Sequence, residues 1–105
     1  MSHHHERKLG ITEYSGTPGT FTVDATSEGI ELWTGTTGTV IEIAPSLAGI
    51  FVNVVGGAAT ATPSTTSGCI FIASGKVKRI RTTSSPVKAI REAGTSAVVS
   101  VGVVV

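Results

Sequence analysis

The sequence predicts an all-β protein: an antiparallel β-sandwich or barrel, jelly-roll-like, with about eight strands and a flexible N-terminal arm. Its aliphatic residues are mostly β-branched, with thirteen Val and nine Ile against three Leu. Such side chains are stiff at χ1 and suit a pleated surface. Short apolar segments are separated by Gly-containing turns at roughly eight-to-twelve-residue spacing, which is typical of sandwiches and barrels. A length of 105 residues predicts one domain.

The first eighteen residues differ from the rest. They are polar and interrupted by Gly10, Gly16 and Pro18, so we interpret 1–18 as an N-terminal arm that could order on a partner and 19–105 as the β-sandwich domain. The three histidines, His3 to His5, lie in this arm. A histidine run without a rigid scaffold is more often a solvated tail than a metal site, so no metal site is expected.

Each apolar segment predicts one strand. The expected strands are 21–25, 29–33, 39–44, 49–55, 68–73, 76–82, 86–92 and 96–105. Pro45 is expected to end the third strand. The only helical alternatives are 46–49 and 87–94, and both are short. No run of about 18 apolar residues exists, so no membrane span is expected.

The last strand, Ser96 to Val105, is nearly continuous β-branched sequence. As a free edge, such a strand would be a template for aggregation. We therefore expect it either in the centre of a sheet or covered by another subunit.

Charge is distributed unevenly along the chain. Six of the seven acidic residues precede residue 43, and six of the eight basic residues lie between 76 and 91. Either the two halves meet and neutralise each other, or the basic residues form a face for an acidic partner, for instance a neighbouring copy. The candidate partner-contact residues are Lys76, Lys78, Arg79, Arg81, Lys88 and Arg91.

Residues for catalysis are sparse. No histidine follows His5, so a serine or cysteine nucleophile would lack its usual base. Cys69 lies in an apolar strand and is expected to be a small buried hydrophobe. The remaining enzymatic option is a pair of carboxylates, Glu31 and Glu42, on adjacent predicted strands. Such a pair could hydrolyse a glycoside, but five aromatic residues in the whole chain are too few to line a sugar-binding cleft. We predict no enzymatic activity, no catalytic residues and no cofactor.

Two kinds of binding module stay open. A carbohydrate-binding sandwich would use Trp33 and Tyr14 for stacking. A nucleic-acid binder would use the basic stretch from Lys76 to Arg81, but no aromatic residue is interleaved with it. Nucleic acid is therefore not the expected partner.

The second half of the chain carries a resemblance. The pattern starts with an apolar strand that ends in Gly-Gly and continues into a Thr/Ala/Ser linker, in GIFVNVVGGAATAT (49–62). A strand and a Gly turn then precede a charged strand, in GCIFIASGKVKRIRT (68–82). The pattern ends with Gly-Thr followed by alternating Val, in VKAIREAGTSAVVSVGV (87–103). This pattern resembles small accessory virion proteins of tailed bacteriophages, of the head decoration (cementing) type.

The resemblance implies a β-sandwich that binds the outer surface of the head shell and stabilises it. The implied partner is the major capsid protein or another virion lattice protein, reached by the N-terminal arm through β-augmentation. A homo-oligomer, with a trimer as the working assumption, is implied as well. The implied location is the virion head surface after synthesis in the host cytoplasm, and a tail, neck or fibre component is the alternative within the virion.

Overall fold

The computed structural model describes residues 12–26, 28–60, 68–92 and 94–105. Within these ranges the protein consists of eight strands and no helix, which confirms the predicted all-β class. The histidine run at His3 to His5 lies outside the described residues. The strands are β1 Gly19–Val23, β2 Ile30–Trp33, β3 Val40–Ser46, β4 Ile50–Asn53, β5 Cys69–Ile72, β6 Lys78–Arg81, β7 Val87–Arg91 and β8 Ala97–Val104.

The strands form two four-stranded antiparallel sheets. Sheet A has the order β1-β8-β3-β6, and sheet B has the order β2-β7-β4-β5. Strand β1 thus pairs with β8, β2 with β7, β3 with β6 and β4 with β5. This is the pairing of one long hairpin rolled so that successive pairs alternate between two sheets, the arrangement of an eight-stranded jelly roll.

The core lies between the sheets and is built by side chains that alternate along each strand. On β3, Ile41 and Ile43 are fully buried, while Glu42 between them points outward. On β4, Ile50 and Val52 meet them from the opposite sheet. Burial of this many β-branched side chains on two pleated faces explains why Val and Ile dominate the composition.

The final strand is central in a sheet. Strand β8 lies between β1 and β3 and pairs with both over most of its length. We expected this β-branched strand either in the centre of a sheet or covered by another subunit, and it lies in the centre of sheet A. Both neighbours satisfy its backbone hydrogen-bonding groups, which removes the aggregation-prone edge.

The expected end of the third strand was wrong. Pro45 does not end β3: it is buried inside the strand, opposite Val99. Strand β6 pairs with β3 only between Val40 and Ile43, so Pro45 lies where that side of β3 has no strand beside it, and its missing N–H disrupts no ladder. The strand expected over 86–92 is present as β7, Val87–Arg91, a central strand of sheet B, so the short helical alternative is not adopted there.

The strand order also separates Glu31 from Glu42. We expected these carboxylates on neighbouring strands, but β2 and β3 belong to different sheets. Glu31 lies opposite Lys88 on β7, and Glu42 lies opposite Arg79 on β6. Cys69 is half-buried on the edge strand β5 instead of fully buried.

The sandwich has two flanks, each made of the edge strands of both sheets. Phe21 of β1 lines one groove together with Leu32 and Trp33 of β2, which places these two edges side by side. We call this side the β1/β2 flank. The other two edges, β5 and β6, form the opposite β5/β6 flank.

Candidate partner-contact surfaces

The six basic residues predicted to contact a partner do not form one surface. Lys78, Arg79 and Arg81 lie on β6 at the edge of sheet A, and Lys76 precedes that strand. Lys88 and Arg91 lie on β7, which is central in sheet B. The expected basic face is therefore divided between the two sheets.

Arg79 belongs to a polar cluster on the outer face of sheet A. Its Nε donates to Oε2 of Glu42 at 2.8 Å, which joins the basic half of the sequence to the acidic half. The other carboxylate oxygen of Glu42 accepts a hydrogen bond from the hydroxyl of Tyr14. A second Arg79 nitrogen donates to the hydroxyl of Thr12. We call these four residues the Tyr14 cluster.

The Tyr14 cluster shifts the pKa values of Glu42 and Tyr14 in opposite directions. The hydrogen bond from Tyr14, followed by that from Arg79, lowers the pKa of Glu42, because both donors stabilise the carboxylate. The same bond raises the pKa of Tyr14, because ionising the phenol would remove the donor and place two anions side by side.

The cluster holds the segment before β1 against sheet A. Tyr14 forms a bridge with Val104, the N–H of Ser15 donates to the carbonyl of Val103 at 2.8 Å, and the N–H of Val105 donates to the carbonyl of Glu13 at 2.9 Å. Residues 12–18, placed in the arm by the sequence, thus extend the pairing of β1 along the end of β8. Strand β1 itself begins at Gly19, the first residue of the predicted domain.

Three cations of the β5/β6 flank remain exposed. The side chains of Lys76 and Lys78 make no ion pair or hydrogen bond within the described residues, and Arg81 donates to the carbonyl of Gly38 at 3.2 Å. Lys78 shares the inward side of β6 with Ile80, since these residues oppose buried Ile43 and Ile41. A charge on the inward side of an edge strand discourages unspecific strand pairing. Val77, between the two lysines, is 59% exposed.

The outer face of sheet B divides into a covered half and an open half. In the covered half, the side chain of Asn53 is buried under residues 54–58. Its oxygen accepts the N–H groups of Val55 at 2.9 Å and Gly57 at 3.0 Å, and its nitrogen donates to the carbonyl of Ala58 at 3.0 Å. The N–H of Ala59 then donates to the carbonyl of Glu28 at 3.0 Å, which carries this segment across to the β2 side.

The open half of that face is apolar. Phe51 and Phe71 are cross-strand partners with ring centroids 5.2 Å apart, and Ile90 lies beside Phe51 on β7. Phe71 is 46% exposed. Its ring lies over Gly49, where an added Cβ would approach the ring to 2.7 Å. We call Phe51, Phe71 and Ile90 the Phe71 patch.

The β1/β2 flank carries a groove of about 300 Å³. Its walls come from both sheets: Phe21, Glu31, Leu32, Trp33 and Thr34. The Trp33 ring covers Gly35, at which an added Cβ would lie 2.6 Å from Cζ2 of the indole. Trp33 and Tyr14, the two stacking candidates, lie in different sheets and share no surface.

Comparisons with protein-family models, with curated proteins and with solved structures found no match for this chain. Among the described residues, no cluster of three or more His, Cys, Asp or Glu side chains could hold a metal ion. The same part of the chain has no helix long and apolar enough to cross a membrane.

Sequence reasoning missed the partner of Tyr14 and the importance of Gly102. The sequence does hold a signal for both, since Gly102 interrupts an otherwise β-branched strand. A glycine in such a strand marks a bulge or a close approach by another group. Here the Tyr14 ring makes the approach, because an added Cβ at Gly102 would lie 2.6 Å from Cδ1 of Tyr14.

Proposed function

We propose that this protein is a structural component of a tailed-bacteriophage virion, a decoration protein that binds the outer surface of the head shell and stabilises it. The observation that carries the proposal is the Phe71 patch. It exposes the Phe71 ring on the outer face of sheet B, next to half-buried Phe51 and Ile90 and beside the segment that covers the rest of that face.

The two outer faces of the sandwich differ in a way that supports this function. The face of sheet A carries the hydrogen-bonded Tyr14 cluster, whose polar groups satisfy one another. The open half of sheet B offers the apolar side chains of Phe51, Phe71 and Ile90. Contiguous apolar surface of this kind marks sites of protein–protein contact, where aromatic residues are enriched.

Decoration requires contact area and repetition. A jelly roll provides a rigid, flat face, and this fold occurs in viral capsid proteins, although a fold does not by itself define a function. A head shell repeats the same site many times. A decorating oligomer that reaches several sites at once gains avidity without stronger individual contacts.

The test is binding to shells assembled from the major capsid protein encoded in the same genome. We expect the protein to co-sediment with these shells to a fixed stoichiometry and to raise their disruption temperature. Phe71→Ser removes the most exposed ring of the patch, and we expect it to weaken binding by about tenfold or more, as for the central residue of an interface.

A matched control separates the patch from exposed hydrophobicity in general. Val105 is also exposed and lies outside the patch, beyond the end of β8. Val105→Ser should bind shells as the unaltered protein does. The proposal is wrong if the protein fails to sediment with shells, or if both variants bind with unchanged affinity.

A further inference from the structure

We propose that copies of this chain associate head to tail, with the segment Lys76-Val77-Lys78 of one copy docked in the groove of the β1/β2 flank of the next. The proposal does not depend on the virion role. The occupant of the groove is a second copy, and both the charge and the shape of the two flanks support that choice.

The first argument is the shape of the two surfaces. Val77 is an exposed aliphatic side chain at the point where the chain enters edge strand β6. The groove on the opposite flank is lined by Phe21, Leu32 and Trp33 and has a volume of about 300 Å³, enough to receive one branched side chain. An apolar side chain and a complementary pocket elsewhere on the same molecule produce a heterologous contact.

The second argument is charge. Val77 lies between Lys76 and Lys78, which are exposed and make no ion pair within the described residues. Glu31 contributes to the rim of the groove, and exposed Glu28 precedes the same strand. The cations beside Val77 would therefore meet the carboxylate of Glu31 at the groove. Complementary charges of this type fix the register of an interface and exclude like-charged alternatives.

The two flanks lie on opposite sides of the sandwich, so one copy can use both at once. Strands β5 and β6 end one side of the two sheets, and β1 and β2 end the other. Such a contact gives a ring if the rotation closes and a filament if it does not. A ring that closes after three copies would be the trimer implied by the resemblance.

Sedimentation velocity and Trp33 fluorescence test this contact on the whole chain without any shell. Trp33 is the only tryptophan and lines the groove, so its emission reports on docking directly. From micromolar to submillimolar concentration, we expect the average mass to rise above that of the monomer and the emission to move to shorter wavelength. Both changes should diminish at high ionic strength, because salt screens the exposed charges.

Val77→Asp places an anion where the groove is acidic and should keep the protein monomeric, with a fixed Trp33 emission. Val105→Asp is the matched control, since Val105 is equally apolar, similarly exposed and outside both flanks. The control should associate as the unaltered chain does. Because Val77 is exposed, the first variant should keep the far-UV spectrum of the unaltered chain.

Charge exchange adds a second, independent test. The variants Lys78→Glu and Glu31→Lys should each be monomeric, because each presents like charges to its own copies. Their equimolar mixture should associate again, since each reversed flank then meets an opposite charge. The proposal is overturned if the unaltered chain stays monomeric at low salt, if Val77→Asp associates normally, or if the mixture stays monomeric. Shell binding through Phe71 can hold or fail independently of these results.

Discussion

The hydroxyl of Tyr14 donates a hydrogen bond to Glu42 across strand β8, passing over Gly102. Tyr14 precedes β1, Glu42 lies on β3, and Gly102 is the β8 residue opposite Glu42. One side chain therefore spans the strand between its own segment and β3. Since Arg79 of β6 binds the same carboxylate, the Tyr14 cluster connects the segment before β1 to the far edge strand of sheet A.

The first prediction concerns Gly102. Gly102→Ala should lower the free energy of unfolding by roughly 1–2 kcal/mol, because the new Cβ displaces the Tyr14 ring and its hydrogen bond. Chemical denaturation measures this difference. In a Tyr14→Ala background the same change should cost nothing or stabilise, since alanine suits a strand better than glycine once the ring is absent. Equal costs in both backgrounds would contradict the role assigned to Gly102.

The second prediction follows from the two pKa shifts of the Tyr14 cluster. The folded-state pKa of Glu42 is lowered, so its contribution to stability is present above the unfolded-state pKa and is lost as the pH falls through the folded value. The folded-state pKa of Tyr14 is raised, so its contribution is present below the unfolded-state pKa and is lost as the pH rises through the folded value. The Tyr14–Glu42 bond should therefore stabilise the protein between these two limits.

Tyr14→Phe tests this dependence by removing only the hydroxyl. The difference in unfolding free energy between this variant and the unaltered protein should be largest near neutral pH and shrink toward both acid and strong alkali, as measured by denaturation across the pH range. Thr22→Ala, at an exposed position on β1, is the control whose effect should not vary with pH. A Tyr14→Phe effect that is independent of pH would refute the assignment.

The sequence allowed prediction of the strands but not of their partners. Runs such as Ile50 to Val55 show which residues face a core, because alternation is a local property. Neither alternation nor composition says which sheet a strand joins, so Glu31 and Glu42 were placed together although the jelly-roll order separates them. For the same reason Lys88 was grouped with the β6 cations. The prediction that Pro45 ends β3 is wrong for a similar reason. The strand tolerates a proline at this position because β6 ends before it, and the sequence does not show where a neighbouring strand ends.

The third prediction concerns Asn53, which is buried and binds three backbone groups of the segment that covers half of sheet B. Asn53→Ala removes three hydrogen bonds to those groups, and each such bond contributes about 0.5–1.5 kcal/mol. We expect a loss of roughly 2–3 kcal/mol in unfolding free energy, together with faster amide hydrogen exchange in residues 54–58. Thr20→Ala, at an exposed strand position, should change neither quantity, and unchanged exchange in Asn53→Ala would show that the side chain does not hold the segment.

The fourth prediction concerns Leu47, which is 71% exposed and has φ of 69° in the turn between β3 and β4. A left-handed backbone costs a residue with a Cβ roughly 1–2 kcal/mol, and this side chain is not in the buried core. Leu47→Gly should therefore raise the unfolding free energy by about 0.5–1 kcal/mol, after allowance for the greater freedom of glycine in the unfolded chain. Leu47→Ala keeps the Cβ and should give no gain, so a gain of the same size for both variants in chemical denaturation would contradict the strain argument.

The same position offers a link between strain and contact. A strained residue that persists in a structure motivates a hypothesis of function. The Phe71 ring lies over Gly49, and Leu47 precedes Gly49 by two residues in the same turn. Leu47 is therefore close along the chain to a residue that contacts the Phe71 patch. Under the proposed decoration function, we expect Leu47→Gly to bind head shells more weakly in the sedimentation assay while being more stable alone. A variant that is more stable and binds shells with unchanged affinity would show that Leu47 lies outside the contact.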